Sequence, residues 1–600
     1  MTKKIKNQKS KIKYTNQILN RLRNNRSKIV FFVIIVLAFF LRFYDLSNVP
    51  PSASLDEVSI GYNAYSIFKT GADEYGNKFP LLLRAYDDFR PALYVYLVAP
   101  FVQIFGLNVL AVRLPSVILS VLTVLVTYFL VKELFKNSKS EILNPKQTQN
   151  SNNQNSKNPL EIRNWKLEVP IIATAMLAIS PWHIYIGRLG HEANAGFAFG
   201  LFAILFFLKF TNNFGDIYLY LSSVLFGLSF YSYQSEKIFV PLIVIALSFI
   251  FAHKLMQRKK QVSLALFFGL IIAIPVLLAT LSPNGLIRFK ATSAFNINDP
   301  LYTNAAKERL IAKKNGDVLK EIMNNNRFIS MRIFLGNYLS HFNPYWLFTS
   351  NEDEDFKVPK VGLMHKWEFP FISLGIIYLF FTKKISRKIK LLIVTWILIS
   401  PIAASITTGS PHAMRVYNLL PVPQILAALG LLQTAFFLKN ALNNKYYVFL
   451  YKAIIFVFFL IVLASVTYFY KQYFYIFPNV QSSSFQYTLS QAISFVLKQE
   501  ERYNKIVFSN KDNLYQSYMF FLFYSKYDPH LYQKQGGTES GGFAETHTFD
   551  KYEFRSIVVN EEGVKNSLYV VNANENVNNG KFLRSFKDLD GKYKINVFDL

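Results

Sequence analysis

Of 600 residues, 52% are hydrophobic and only 17% charged, which leaves too little polar surface for a soluble globular chain, where about 25% of residues are charged. Lys and Arg number 66 against 37 Asp and Glu, a formal charge of +29, and Phe alone occurs 58 times. A soluble enzyme, a disordered tail and a fibrous protein are excluded. With no Cys, so are structural disulfides, thiolate metal sites and a cysteine nucleophile.

Long apolar runs such as 29-IVFFVIIVLAFFL-41 and 453-AIIFVFFLIVLASV-466 recur from end to end, and a membrane span needs about 20 such residues. The cations gather at the ends of these runs, which is a membrane-orientation signal. No nucleic-acid partner is expected; the lipid bilayer is.

Residues 1–28 form a basic N-terminus, and the first run is followed by Arg42 and Asp45 rather than a small-residue cleavage site. It reads as an uncleaved helix with a cytoplasmic N-terminus. Basic loops near 132–139, 253–260 and 383–390 fit the same side. The pattern predicts spans near 29–44, 109–131, 167–184, 193–210, 217–232, 238–253, 262–281, 368–382, 391–408, 415–438 and 446–470. The stretch 91-PALYVYLVAPFVQIFG-106 is apolar but broken by Pro91, Pro100 and Gly106, so it is a juxtamembrane or re-entrant helix or part of an extra pair. The fold class is therefore an all-α polytopic membrane protein of about 11–13 transmembrane helices over 29–470. Its outer loops span 45–108 and 282–367.

The loop over 137–166 begins with a low-complexity run rich in Asn, Ser, Gln and Lys. It is expected to be flexible and cytoplasmic. Beyond 470 the pattern changes: 484-SFQYTLSQAISFVLKQ-499 is helical in period, while 505-KIVFS-509, 567-SLYVVNA-573 and 593-YKINVFDL-600 read as buried strands. Residues 471–600 are expected to form a small extracytoplasmic α/β domain.

The chemistry-bearing residues fall at the outer ends of spans, where an ionisable group near lipid is costly and thus a candidate for function. Asp56 and Glu57 open an amphipathic segment with Ile60, Ala64, Ile67 and Phe68 on one face, which suits a helix on the membrane surface. A carboxylate there can accept a proton from a hydroxyl nucleophile; the plain alternative is an acid pair complementing a helix dipole. In 180-SPWHIYIGRLGHEANAG-196, Arg188 can bind an anionic head group while His191 or Glu192 orients a reactant. An ordinary ion pair between Arg188 and Glu192, four apart, is the bland reading. Tyr231, Tyr233, Gln234 and Lys237 lie in 231-YSYQSEK-237, His412 and Arg415 in 409-GSPHAMRVYNLLPVP-423, and Arg84 and Arg90 in the first outer loop. Phosphate needs such donors, and Arg offers a two-pronged contact. The 282–367 loop, with Asn343, Tyr345, Trp346 and the acidic run 351-NEDEDF-356, is read either as a cover over the site or as a structural cap.

In their order, 55-LDEVSIGYNAYSIFKTGADEYG-76, 89-FRPALYVYLVAPFVQIFG-106, 113-RLPS-116, 180-SPWHIYIGRLGHEA-193, 231-YSYQSEKIFVPL-242 and 412-HAMRVYNLLPVP-423 resemble the bacterial members of the GT-C glycosyltransferase superfamily, relatives of protein O-mannosyltransferases and the lipid A aminoarabinose transferase. The resemblance implies an inverting membrane transferase. It would take a sugar from a polyprenyl-phosphate donor to an envelope acceptor, whether protein, lipid or glycan, without a required metal or other cofactor. It makes Asp56, with Glu57 beside it, the general base or acceptor-positioning group. A family Lys-Pro-Pro-Leu segment, whose Lys contacts the donor phosphate, corresponds to 90-RPAL-93, with Arg90 for Lys and Ala92 for Pro. Arg188, Lys237, His412 and Arg415 are assigned to the phosphate by position only. His191, Glu192, Tyr231, Tyr233 and Gln234 are assigned to the sugar or acceptor in the same way. The rival readings are a lipid or sugar transporter or flippase, for which internal symmetry and mid-span charges would be expected, and a scaffold that displays the C-terminal domain.

Overall fold

The computed structural model describes residues 26–86, 88–136, 159–350, 356–442, 447–538, 546–558 and 561–600. The N-terminal stretch to residue 25, the low-complexity run over 137–158 and the acidic run over 351–355 lie outside the described residues.

Helix α1 covers 26–43. After it come α2 (Leu55–Thr70), the hairpin β1 (Leu82–Ala85) and β2 (Asp88–Pro91), α3 (Leu93–Phe105), α4 (Val109–Phe135), α5 (Pro159–Ile179), α6 (Pro181–Arg188), α7 (Glu192–Thr211), α8 (Ile217–Phe230) and α9 (Glu236–Ile250). The chain continues through α10 (Ala252–Met256), α11 (Lys259–Leu281), α12 (Pro283–Thr292), α13 (Pro300–Lys314), α14 (Val318–Met323), α15 (Asn326–Ser340) and α16 (Pro344–Phe348). Helices α17 (Glu368–Phe381), α18 (Arg387–Ile399), α19 (Ile402–Ser405), α20 (Val422–Ala441) and α21 (Val448–Lys471) complete the bundle. The protein is a multi-pass membrane protein; the predicted spans fall on helical stretches, but 167–184 is divided between α5 and α6, 391–408 between α18 and α19, and 415–438 begins ahead of α20.

Among the described residues six helices are individually long and apolar enough to cross a membrane, and α5 with α6 passes as a pair bent by 56°. Helices α3, α8 and α17 are apolar but only 13 or 14 residues long, a rise of about 20 Å against a hydrocarbon core of about 30 Å. The bend between α5 and α6 falls at Ser180–Pro181, where Pro starts a new helix rather than continuing the old one. The carbonyls freed there are taken up by Arg42, which donates to Ala178 O and Leu177 O and meets His183 Nδ1 at 2.6 Å.

After α21 the chain passes through α22 (Phe477–Val480) and α23 (Tyr487–Val496) into a mixed sheet. Its strands are β3 (Lys505–Ser509), β4 (His547–Phe549), β5 (Tyr552–Arg555), β7 (Ser567–Asn572), β9 (Lys581–Lys587) and β10 (Lys594–Asp599), in the order β4-β5-β3-β7-β10-β9. Strand β3 runs parallel to both neighbours while the edges are antiparallel. A separate two-residue pairing joins β6 (Glu561–Glu562) to β8 (Val577–Asn578). Helices α24 (Ser517–Ser525) and α25 (Pro529–Lys534) lie between this sheet and the bundle.

One apolar cluster fuses the two layers: Val58 and Tyr62 of α2, Val95 of α3 and Val112 of α4 pack with Phe521 and Phe523 of α24, all of them buried. Contact is close enough that a Cβ on Gly61 would stand 2.4 Å from Phe523 Cε2 and 2.7 Å from Val112 Cγ2. Helix α2 is therefore internal, and the expectation of a helix lying along the membrane surface is corrected. Its apolar face meets α3 and α4, and its polar face is covered by the C-terminal layer. Gln533 of α25, for example, donates to Ser66 Oγ, Thr70 Oγ1 and Asp73 O.

Candidate active site

The sequence 54-SLDE-57 is a capping box. Ser54 Oγ accepts from Glu57 N at 3.3 Å, Glu57 Oε2 accepts from Ser54 N at 2.8 Å, and α2 starts there. The rest of the Glu57 carboxylate is taken up by Arg113 of α4, whose Nε donates to Oε1 at 2.7 Å and Nη2 to Oε2 at 3.0 Å, and by Gly190 N at 2.8 Å. Glu57 is buried, with every acceptor position engaged. Burial alone would raise its pKa, but Arg113 and these hydrogen bonds hold it below the usual carboxylate range. Placing Glu57 beside Asp56 as a reactive group is corrected: it is an internal strut, and the capping-box spacing was the signal for it.

Asp56, one residue earlier and so about 100° around the helix, faces open space with about half of its side chain exposed. The hairpin supplies its partner. Arg90 sits opposite Leu83 in the β1–β2 register, is itself buried, and donates through Nη1 to Asp56 Oδ1 at 3.2 Å and through Nη2 to Ser59 Oγ at 3.0 Å. On the other side His191 Nε2 stands 3.7 Å from Asp56 Oδ2. The His191 Nδ1 atom accepts from Ala193 N as the N-cap of α7, which leaves Nε2 on the side of Asp56. Burial pushes the Asp56 carboxyl up, but Arg90 first and His191 second outweigh it and hold the group below its ordinary range. Glu192 is buried beside His191, 3.6 Å from its Nδ1, and among the described residues its Oε2 has no hydrogen-bond partner.

A cavity of about 390 Å³ is lined by cations and by hydrocarbon, and one of its cations, Arg288, is close enough to act electrostatically on Asp56. Tyr233, Gln234, Lys237 and Arg415 line it, together with Arg288 of α12, which the sequence reading missed, and apolar walls that include Leu286 and Phe289. Lys237 Nζ donates to Gln234 Oε1 at 2.6 Å, and Gln234 Nε2 donates to Phe89 O. Arg288 pairs with Asp88 on the hairpin. Arg415 Nη1 donates to Thr407 Oγ1 and Thr408 O, and its guanidinium also bonds Tyr233. The signal for Arg288 was slight, a single cation just after the α11 span in a loop that contains many.

A neighbouring cavity of about 410 Å³ is lined by Trp346, Phe356, His412 and Arg415. His412 stacks on Phe356, its backbone N–H donates to His341 Nε2, and burial first and Arg415 second lower its pKa to about 3. In this setting it is a neutral imidazole near pH 7. Of the outer-loop residues singled out earlier, Trp346 reaches this wall, Asn343 caps α16, and Tyr345 is exposed.

Two further expectations are corrected. The Arg188 guanidinium is fully buried and donates to the carbonyls of Leu41, Arg42, Tyr44, Asp45 and Val49. It thus completes the frayed carboxyl end of α1, where unpaired carbonyls and the helix dipole favour a cation. No pair with Glu192 forms, because the helix breaks between α6 and α7. Tyr231 donates its hydroxyl to Ile272 O at 2.7 Å, tying α8 to α11 away from the cleft. Arg84 likewise lies over the Tyr75 ring on the opposite face of the hairpin from Arg90. Among the described residues no three His, Asp or Glu side chains form a group that could hold a metal ion.

Residues 90–142 match the dolichyl-phosphate-mannose-protein mannosyltransferase family. Among solved structures, ArnT from Cupriavidus metallidurans bound to undecaprenyl phosphate superposes with a TM-score of 0.51 at 10% identity, over 95% of this chain and 97% of that one. The oligosaccharyltransferase AglB from Archaeoglobus fulgidus, in complex with an inhibitory peptide and a dolichol-phosphate, gives 0.48 at 14% identity over 84% of this chain, which spans 64% of AglB's length. The Saccharomyces cerevisiae Pmt1–Pmt2 complex bound to its sugar donor gives 0.29 at 16% identity over 44% and 33%. No curated protein matches in sequence. With a helical bundle, a C-terminal sheet layer and a superposition that takes in nearly all of ArnT, the chain has the fold of the GT-C superfamily of glycosyltransferases.

Proposed function

We propose that this protein transfers a sugar from a polyprenyl-phosphate donor to an acceptor hydroxyl on the outer face of the membrane, with inversion. The observation that carries this reading is a half-exposed, ionised Asp56 within electrostatic reach of a cavity lined by cations and by hydrocarbon. A prenyl phosphate has that same split character: its chain must remain in hydrocarbon and its phosphate at the rim. The donor phosphate fits Lys237, Arg288 and Arg415, fixed cations that offset the charge growing on the leaving group. Asp56 then takes the proton from the acceptor hydroxyl as that oxygen bonds to the anomeric carbon. The bond from the anomeric carbon to the phosphate oxygen breaks, and its electron pair leaves with the phosphate. Arg90 and His191 keep Asp56 ionised and aimed, and the buried Glu192 is placed to accept from a sugar hydroxyl.

The basic loops on the side opposite Asp56 support a cytoplasmic N-terminus and an outer-face site in the plasma membrane. Residues 471–600 then form an extracytoplasmic unit over α2. The test is to incubate purified wild type and Asp56→Asn with radiolabelled polyprenyl-phosphate sugars and an envelope extract. Transfer by wild type, lost in the variant while donor binding persists, is the expected result. Equal transfer by the variant overturns the role of Asp56. A wild type that neither binds nor consumes any such donor overturns the function.

A further inference from the structure

The reaction above makes no use of residues 300–340, a helical hairpin in which α13 packs on α15 through Tyr302, Ala305 and Ile329, with Tyr302 OH 2.8 Å from Ser330 Oγ. That is a very small core, and the apolar residues left outside it outnumber those within. At the tip, every apolar side chain of α14 is exposed: Val318 65%, Leu319 68%, Ile322 56% and Met323 44%. Along α15, Met331, Leu335 and Leu339 recur every four residues as one exposed stripe. A hairpin surrounded by water would turn its polar side outward, so these two surfaces have an occupant.

Two observations say what it is. The stripe is continuous with the lipid-facing surface of the bundle, because α15 is fastened to the outer end of a span. Tyr338 OH donates to Leu398 O at 2.8 Å and Asn337 Nδ2 to Ser405 O at 3.1 Å, and Leu398 is itself exposed on α18. The hairpin is also basic. It holds seven Lys or Arg and three acids, and two of those acids are already paired, Glu321 with Arg309 and Asp317 with Lys320. Lys313, Lys314 and Arg327 flank the apolar tip and are exposed. An apolar ridge edged with cations is what binds the headgroup layer of an anionic leaflet.

We propose that residues 300–340 are an interfacial anchor, with the α14 tip and the α15 stripe in the acyl boundary of the leaflet on the cleft's side and the flanking cations on anionic headgroups. The anchor fixes the depth of the segments at its two ends, α12, which carries Arg288, and His341, which meets His412. The inference does not depend on the transferase reading.

The chain has no Cys, so single nitroxide labels can be attached at Leu319→Cys, Leu335→Cys and Lys307→Cys in the full protein. Each labelled protein is placed in nanodiscs of phosphatidylcholine with or without phosphatidylglycerol. The expected result is a ratio of oxygen to nickel-chelate relaxation several-fold higher at 319 and 335 than at 307, rising further with the anionic lipid. In a K313Q/K314Q/R327Q background that further rise is lost. Equal access of the nickel chelate to all three sites overturns the proposal in favour of a solvent face. Protection from both relaxers that disappears at one protein per disc overturns it in favour of a second copy. Lipid depth that ignores phosphatidylglycerol overturns the role of the cations.

Discussion

Asp56 and Glu57 are consecutive, yet the first stands half exposed 3.2 Å from Arg90 while the second is buried 2.7 Å from Arg113. One helical step separates an exposed carboxylate, which the proposed reaction uses, from a buried one that supports the fold. The two positions are thus expected to fail in different ways. Glu57→Ala leaves Arg113 buried without its partner, a loss on the order of 3–5 kcal/mol, and the measurement is yield and apparent Tm in detergent. Asp56→Asn keeps an oxygen acceptor for the buried Arg90, so it is expected to cost less stability than Glu57→Ala and to abolish transfer.

Arg90, expected from the sequence to contact the donor phosphate, donates instead to Asp56 and Ser59, so in the proposed reaction it acts through Asp56. With Arg90 in place the carboxyl is held low, so activity is expected to persist well into the acid range. Removing an adjacent cation raises a carboxyl pKa by roughly 1–3 pH units. Arg90→Met should therefore move the acid limb of the kcat/KM profile upward by at least about one pH unit, while Arg90→Lys restores most of the shift. An unmoved limb with a general loss of activity would mark Arg90 as structural only.

Cations in this protein divide by what their donors already hold. Arg288→Ala removes a charged donor from the cavity wall and is expected to weaken donor binding by roughly 10- to 100-fold, the equivalent of about 1.5–3 kcal/mol, with little change in Tm. Arg188→Lys keeps the charge but leaves some of the carbonyls at the end of α1 unmet. It should lower Tm by several degrees and leave the donor Kd of the folded fraction unchanged. Titration of both variants with a polyprenyl phosphate separates the two effects.

The apolar helices and the exposed acid at the start of α2 were legible because they depend on local signals: apolar runs, charge at their ends, and an acid pair just past the first run. What was not legible depends on packing. The sequence around Arg188 looks like an open cationic rim, and only the return of α1 beneath it reveals its role. Arg288 lies two hundred residues from its hairpin contact Asp88, with no spacing to mark it. The surface helix expected at 55–70 turned inward because α24, more than four hundred residues later, covers its other face. Amphipathic period alone does not distinguish lipid from protein as the covering layer.

Beneath the C-terminal layer lies a titratable group. Glu74 follows α2, is buried, and accepts from Asn63 Nδ2 at 3.0 Å and Thr538 Oγ1 at 2.8 Å. Burial raises its carboxyl to about 7 against an ordinary value of 4.5, more than those hydrogen bonds lower it. Below pH 4.5 the folded and unfolded chains both hold the proton and nothing is lost. Between 4.5 and 7 the unfolded chain releases it while the folded chain keeps it, so stability falls as pH rises. Above 7 the loss is complete, on the order of 3 kcal/mol. Glu74→Gln removes the titration and keeps the shape. The apparent Tm of wild type should decline relative to this variant from pH 5 to 8, and parallel Tm curves across that window would show that Glu74 does not couple the outer loop to the C-terminal layer.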